Sequence, residues 1–171
     1  MKIRNRKISF KNLPLIIPDI GINHFGKFDL AVDMIKSIHS VGGEIVKFQC
    51  HISDAEMLKS ECKKIIPINS IDNSSIYDII DTCSLSFEEE KELKKITEKL
   101  GMIYLSTPFS HEAVDRLEEM NVELYKVGSG EFGNLPLIEY IASKRKPMIL
   151  STGMNELGQL YDTVDVIESY K

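Results

Sequence analysis

No segment of this 171-residue chain approaches the roughly 20 consecutive apolar residues that a membrane-spanning helix needs. Cysteine is scarce as well. Cys50, Cys62 and Cys83 are odd in number, widely spaced and without a CxxC pair, which argues against a disulfide framework or a zinc knuckle. That usage fits a reducing, cytoplasmic setting. An excess of positive charge is also missing: 21 Lys and Arg against 26 Asp and Glu give a formal net charge of −5. No general attraction to nucleic acid or to membranes is therefore expected. The exception is the opening "MKIRNRKISFKN", which is basic throughout. It lacks the apolar stretch of a signal peptide, and Ile3, Ile8 and Phe10 alternate with charged residues as in an exposed strand or hairpin over residues 1–13.

What is present is a hydrophobic content of 43%, enough for one core, and a length that suggests one domain. Apolar runs rich in β-branched residues alternate with segments of helical spacing. "LIIPDIGI", "EIVKF", "MIYLS", "VELYKV" and "PMILS" read as strands. Helices follow each of them. Leu30, Met34, Ile35, Ile38 and Val41 mark the first, and Ser86 with Glu89 makes a capping box for the next. Ser110 caps a third, Asn134 before Pro136 opens a fourth, and Leu157, Leu160, Val164 and Ile167 trace the fifth. Residues 14–171 thus form βα units. Strands that are nearly continuous apolar runs imply a parallel sheet covered on both faces. Residues 51–84 are the exception, a long irregular stretch read here as a cover over a site.

In parallel α/β architectures the site lies at the carboxyl ends of the strands. Those ends are polar in all five units: Asn23 and His24; Lys47 and Gln49; Ser106 and Thr107; Lys126, Ser129 and Glu131; Ser151 and Thr152. Two lysines in otherwise apolar strands must be paired or meet an anion. Glu131 and Asp19 are the internal partners on offer. Gly128 and Gly130 let backbone N–H groups approach an anion, so a phosphate or carboxylate site is the better reading of "YKVGSGEFG". Glu131 then stands beside the anion, suited to proton transfer or to orienting a hydroxyl. His24 is a structural hydrogen-bonding residue more readily than a base.

The stretches "IIPDIGINHFG", "VKFQCHISDAEML", "YLSTPFSHEAVDRLEEMNVELYKVGSGEFGNLPLIEYIA" and "KPMILSTGM" resemble, in order, the N-terminal part of the sialic acid synthase family, which includes N-acetylneuraminate and legionaminate synthases. The resemblance implies a (β/α)8 TIM-barrel type fold, of which this chain carries the first five βα units, and a homodimer in the full-length family. It also implies condensation of phosphoenolpyruvate with an N-acetylmannosamine-type sugar, an N-acetylated amino sugar, to a nine-carbon sialic acid with release of phosphate. A divalent metal, Mn2+ or Mg2+, polarises the sugar aldehyde in that family. By position, Lys47, Thr107, Lys126, Ser129 and Ser151 would hold the phosphoenolpyruvate anions, while Gln49, Glu131 and Asp19 would face the sugar.

Two residues depart from the family pattern: Asp19 stands where glutamate is usual, and "NHFG" replaces the commoner "NHNG". Three further strands, two metal-binding histidines and a C-terminal antifreeze-like domain lie beyond this chain in the family. The resemblance therefore implies a fragment, inactive alone, with the metal ligands missing. The alternative is a non-enzymatic module, either a flavodoxin-like open sheet complete at this length or a degenerate regulatory paralogue.

Overall fold

The computed structural model describes residues 2–4, 6–68, 70 and 72–170. Strands β1 (Lys2–Ile3) and β2 (Arg6–Lys7) pair antiparallel, with Ile3 opposite Arg6. The remaining strands make one parallel sheet: β3 (Asp19–Gly21), β4 (Ile45–Cys50), β5 (Ile103–Pro108), β6 (Tyr125–Val127) and β7 (Met148–Leu150). Its order is β3-β4-β5-β6-β7. A doubly wound sheet reverses direction at a switch point, so its order cannot be sequential. Here every strand lies beside its predecessor, as in a barrel wall. The flavodoxin-like alternative is corrected by this order.

Helix α1 (Phe28–Ser40) joins β3 to β4, α5 (Phe87–Lys99) precedes β5, and α6 (His111–Glu119), α7 (Leu135–Ser143) and α8 (Leu157–Glu168) follow β5, β6 and β7. The caps are those expected. Ser86 accepts from Glu89 N–H while the Glu89 carboxylate accepts from Ser86 N–H. Ser110 accepts from Ala113, and Asn134 from Leu137. No helix of the described residues is long and apolar enough to cross a membrane.

Two expectations need amending. The first strand shrinks from "LIIPDIGI" to Asp19–Gly21, because Pro18, just before it, has no N–H to give to a ladder. Residues 51–84 are not irregular. They hold α2 (Ser53–Glu56), α3 (Lys59–Cys62) and α4 (Ile76–Cys83). The first two are single turns, too short to show a helical period. Ser75 caps α4 by accepting from Asp78 N–H, and Tyr77 ties it to α2 with a 2.5 Å hydrogen bond to Asp54.

The two faces of the sheet bury different things. Outward, Val46, Phe48, Cys50, Tyr104, Tyr125 and Val127 meet the helices in the larger core. Inward, Ile45, Ile103, Leu105 and Leu124 form a smaller cluster with Ile3, which the β1–β2 pair inserts from below. Arg4 fastens that pair to Glu123 at 2.5 Å, and Arg6 donates to the carbonyls of Leu13 and Pro14.

Candidate active site

Side chains alternate across a strand, so the inward cluster defines what sits above it. In β4, Ile45 faces inward and Val46, Phe48 and Cys50 outward; Lys47 and Gln49 therefore share the inner face, above the apolar floor. By the same alternation Thr107 follows Leu105 on β5, and Lys126 follows Leu124 at β6. The inner face is apolar at the amino ends of the strands and polar at their carboxyl ends.

The polar layer is densely connected. Asp19 lies opposite Lys47 in the ladder, and its carboxylate meets the Lys47 ammonium at 2.8 Å. Lys47 is buried while the Asp19 side chain is half exposed. Gly21, at φ +55°, takes the left-handed turn that follows Asp19, with the side chains of Asp19, Asn23 and Gln49 gathered around it. Lys126 donates to the Ser151 hydroxyl at 2.6 Å and to the carbonyl of Val127. No carboxylate pairs with it among the described residues. Burial lowers its pKa, the Lys47 charge lowers it further, and Asp19 opposes both. The two ammonium groups thus feel each other, as groups aimed into one space must.

Ser129 begins a single 3-10 turn, Ser129–Glu131, whose serine side chain lies against Gly153 of the β7–α8 loop. Asn155 donates to the Ser129 carbonyl at 2.8 Å and holds that loop in place. Thr107 is buried beneath Gly128. Glu131 does not pair with Lys126; it accepts from Asn134 at 2.8 Å. Both line a cavity of about 550 Å³ that His51, Glu56 and Phe109 also line. His24 is buried, and its Nδ1 accepts from Gly26 N–H at 3.2 Å. Burial lowers its pKa, in keeping with a structural role.

His51, Glu56 and Phe109 are not among the residues that the sequence singles out. In the fold the His51 ring stacks on Phe109, with ring centroids 4.3 Å apart, and touches both Glu56 and Gln49. The signal available was position: His51 is two residues beyond Gln49, hence on the same side of the extended chain. On the outer face, Glu90 of α5 is buried against Arg116 of α6 at 3.2 Å and accepts from the Cys50 thiol at 3.4 Å. Burial pushes the Glu90 carboxyl up to about 7, with Arg116 opposing. The Cys50 thiol is pushed far up by the same burial, which makes it inert.

A sequential parallel sheet with its polar groups at the carboxyl ends is the wall of a (β/α)8 TIM-barrel type fold. The likeness to solved structures agrees. The N-acetylneuraminic acid synthetase of Leptospira borgpetersenii superposes with a TM-score of 0.84 at 24% identity, over 99% of this chain and 55% of that one. The chain belongs to the NeuB family, whose profile matches residues 34–171. Among its relatives are an uncharacterised protein of Methanocaldococcus jannaschii, 35% identical over 99% of this chain and 46% of that protein. The N,N'-diacetyllegionaminic acid synthase of Campylobacter jejuni is 34% identical over 90% of this chain and 46% of its own length. The chain spans about half the length of the curated relatives it matches.

Proposed function

We propose that this chain carries the phosphoenolpyruvate site of a synthase that condenses phosphoenolpyruvate with an N-acetylmannosamine-type sugar to a sialic acid, releasing phosphate. The observation that carries the reading is Lys126: a half-buried ammonium, repelled by Lys47, whose hydrogen bonds go to a hydroxyl and a carbonyl rather than to a carboxylate. Desolvating a cation beside another cation is unfavourable unless an anion arrives. A small dianionic metabolite supplies two. We assign Lys47, Lys126, Thr107, Ser129 and Ser151 as the donors that receive it, and relatives named for N,N'-diacetyllegionaminic acid and N-acetylneuraminate 9-phosphate support an amino sugar as the second substrate.

In this reading the methylene carbon of phosphoenolpyruvate forms the new C–C bond with the carbon of the open-chain aldehyde as the two π bonds open, and the aldehyde oxygen takes a proton. Water adds to the resulting cation at the phosphate-bearing carbon and gives up a proton, and the tetrahedral intermediate collapses to a ketone as its C–O bond to phosphate breaks. Asp19, paired with Lys47, and Glu131, which follows β6, are the carboxylates suited to hold or move protons at the sugar hydroxyls and the incoming water. Gln49 contacts the sugar. A divalent metal is the further group the family implies. Among the described residues no three His, Cys, Asp or Glu side chains lie close enough together to hold one. The residues present do not fit it, and no step here runs through it.

Thermal denaturation with added phosphoenolpyruvate tests the reading. A ligand at about 100 times its Kd stabilises by about 2.7 kcal/mol, which for a chain of this size raises Tm by roughly 5–10 °C. Lys126→Ala is expected to abolish the rise. An unchanged Tm for the parent protein at millimolar phosphoenolpyruvate would refute the proposal.

A further inference from the structure

Glu56 and His51 are both buried, with side chains 7% and 6% exposed. Nδ1 of the imidazole lies 2.9 Å from each Glu56 oxygen, so its N–H is shared by both. Nε2 lies 3.2 Å from Gln49 Oε1. Phe109 covers one face of the ring, with the two planes only 12° apart. The imidazole is thus held at two edges and one face. A buried carboxylate needs donors, and Glu56 finds one in His51; that alone would be a packing device. The second nitrogen makes the difference. It reaches Gln49, an amide on the inner face beside Asp19, whose terminal torsion is broad and unlocked without a partner.

We infer that Glu56 and His51 are positioning residues that fix the Gln49 amide in the orientation it presents to the sugar. The inference rests on the sugar-binding reading of Gln49 given above. With the Nδ1 proton given to Glu56, Nε2 donates to Gln49 Oε1 on a ring that carries both protons, and on a ring that carries one proton its lone pair accepts from the Gln49 NH2 instead. In both cases Nε2 holds one end of the amide and turns the other end toward the substrate. Glu56 ends α2, the first helix of the segment covering the site, and α2 is tied to α4 through Asp54 and Tyr77. Seating of that cover and orientation of Gln49 are therefore one event. An immobilised glutamine spares the sugar the cost of ordering a rotamer-rich side chain on binding.

The test compares the parent chain with Glu56→Leu, which removes the acceptor at similar size, and Glu56→Gln, which keeps an oxygen for Nδ1–H. Three quantities are read: the Kd of N-acetylmannosamine at saturating phosphoenolpyruvate, the Tm rise caused by phosphoenolpyruvate alone, and the Gln49 side-chain amide signals in 15N NMR. Glu56→Leu is expected to weaken the sugar about tenfold or more while the phosphoenolpyruvate response stays, with Glu56→Gln within about threefold of the parent. The Gln49 amide should sharpen into one protected pair in the parent and average in Glu56→Leu. Equal loss of sugar and phosphoenolpyruvate binding would reduce the pair to a structural role, and so would parent-like sugar binding in Glu56→Leu. If the parent binds neither ligand, the function proposed above fails, and the amide signal alone decides whether the glutamine is held: identical signals in parent and Glu56→Leu would overturn the inference.

Discussion

Phe25 sits at φ +51° in the turn between β3 and α1, a left-handed conformation that asparagine tolerates and phenylalanine does not favour. The commoner "NHNG" pattern therefore differs from "NHFG" in backbone preference as well as polarity. The ring is 62% exposed, so little packing offsets the strain. Phe25→Asn is expected to raise stability by about 0.5–1 kcal/mol, measured by urea denaturation; a loss instead would mean that the ring makes contacts worth more than the strain. The neighbouring Gly26 is constrained more tightly. At φ +69° a Cβ would stand 2.2 Å from the Thr82 carbonyl, so the turn and the end of α4 approach as closely as they do only with glycine there. The lysines show what a single residue reveals. An ammonium in an apolar strand announces that it needs an anion, yet which lysine an internal acid satisfies depends on ladder register. Asp19 falls opposite Lys47 and leaves Lys126 open.

Among elements, α5 and α6 meet the outer face of β4 through Glu90, Arg116 and Cys50. Burial raises the Glu90 carboxyl from 4.5 to about 7, so the folded protein keeps a proton that the unfolded chain releases across that interval. Its stabilising contribution is complete below about pH 4.5 and is lost as the pH rises through 7. The size is on the order of 3 kcal/mol. Glu90→Gln removes the titration. Its unfolding free energy should fall less between pH 5 and pH 8 than the parent's, by on the order of 1–3 kcal/mol, and parallel pH profiles would contradict this. The sequence hid Glu90 among three consecutive glutamates of an acidic first turn, where Ser86 and Glu89 were the visible signal. Spacing to Leu93 and Thr97, three and seven residues on, places it on the buried face. The cover helices were hidden for a different reason. Four-residue turns such as α2 and α3 carry no periodicity, and they form because the rest of the fold holds them.

For the molecule as a whole, the β1–β2 pair closes the floor of the sheet. Ile3 is 3% exposed among Ile45, Ile103, Leu105 and Leu124, residues that come from three separate strands or their approaches. Ile3→Ala should cost about 2–4 kcal/mol by transfer and cavity terms together, read by chemical denaturation. A loss below about 1 kcal/mol would show that the hairpin is not seated in the cluster. The polar layer above depends on that floor, because the same alternation that sends Ile45 and Leu105 down into it sends Gln49 and Thr107 up to the site.

The five parallel strands, one helix for each βα unit, the capped starts of three of those helices and the gathering of polar residues at the strand ends were determined by the sequence alone. Each depends on local periodicity, on cap chemistry, or on the rule that parallel strands share one direction. Tertiary structure alone decided the sequential strand order, which excludes a doubly wound sheet, and the pairing of Asp19 with Lys47 rather than Lys126. It also decided the linkage from Glu56 through His51 to Gln49. These are contacts between residues brought together by register and by the folding-over of residues 51–84, and no local pattern encodes the distance between two side chains on different elements.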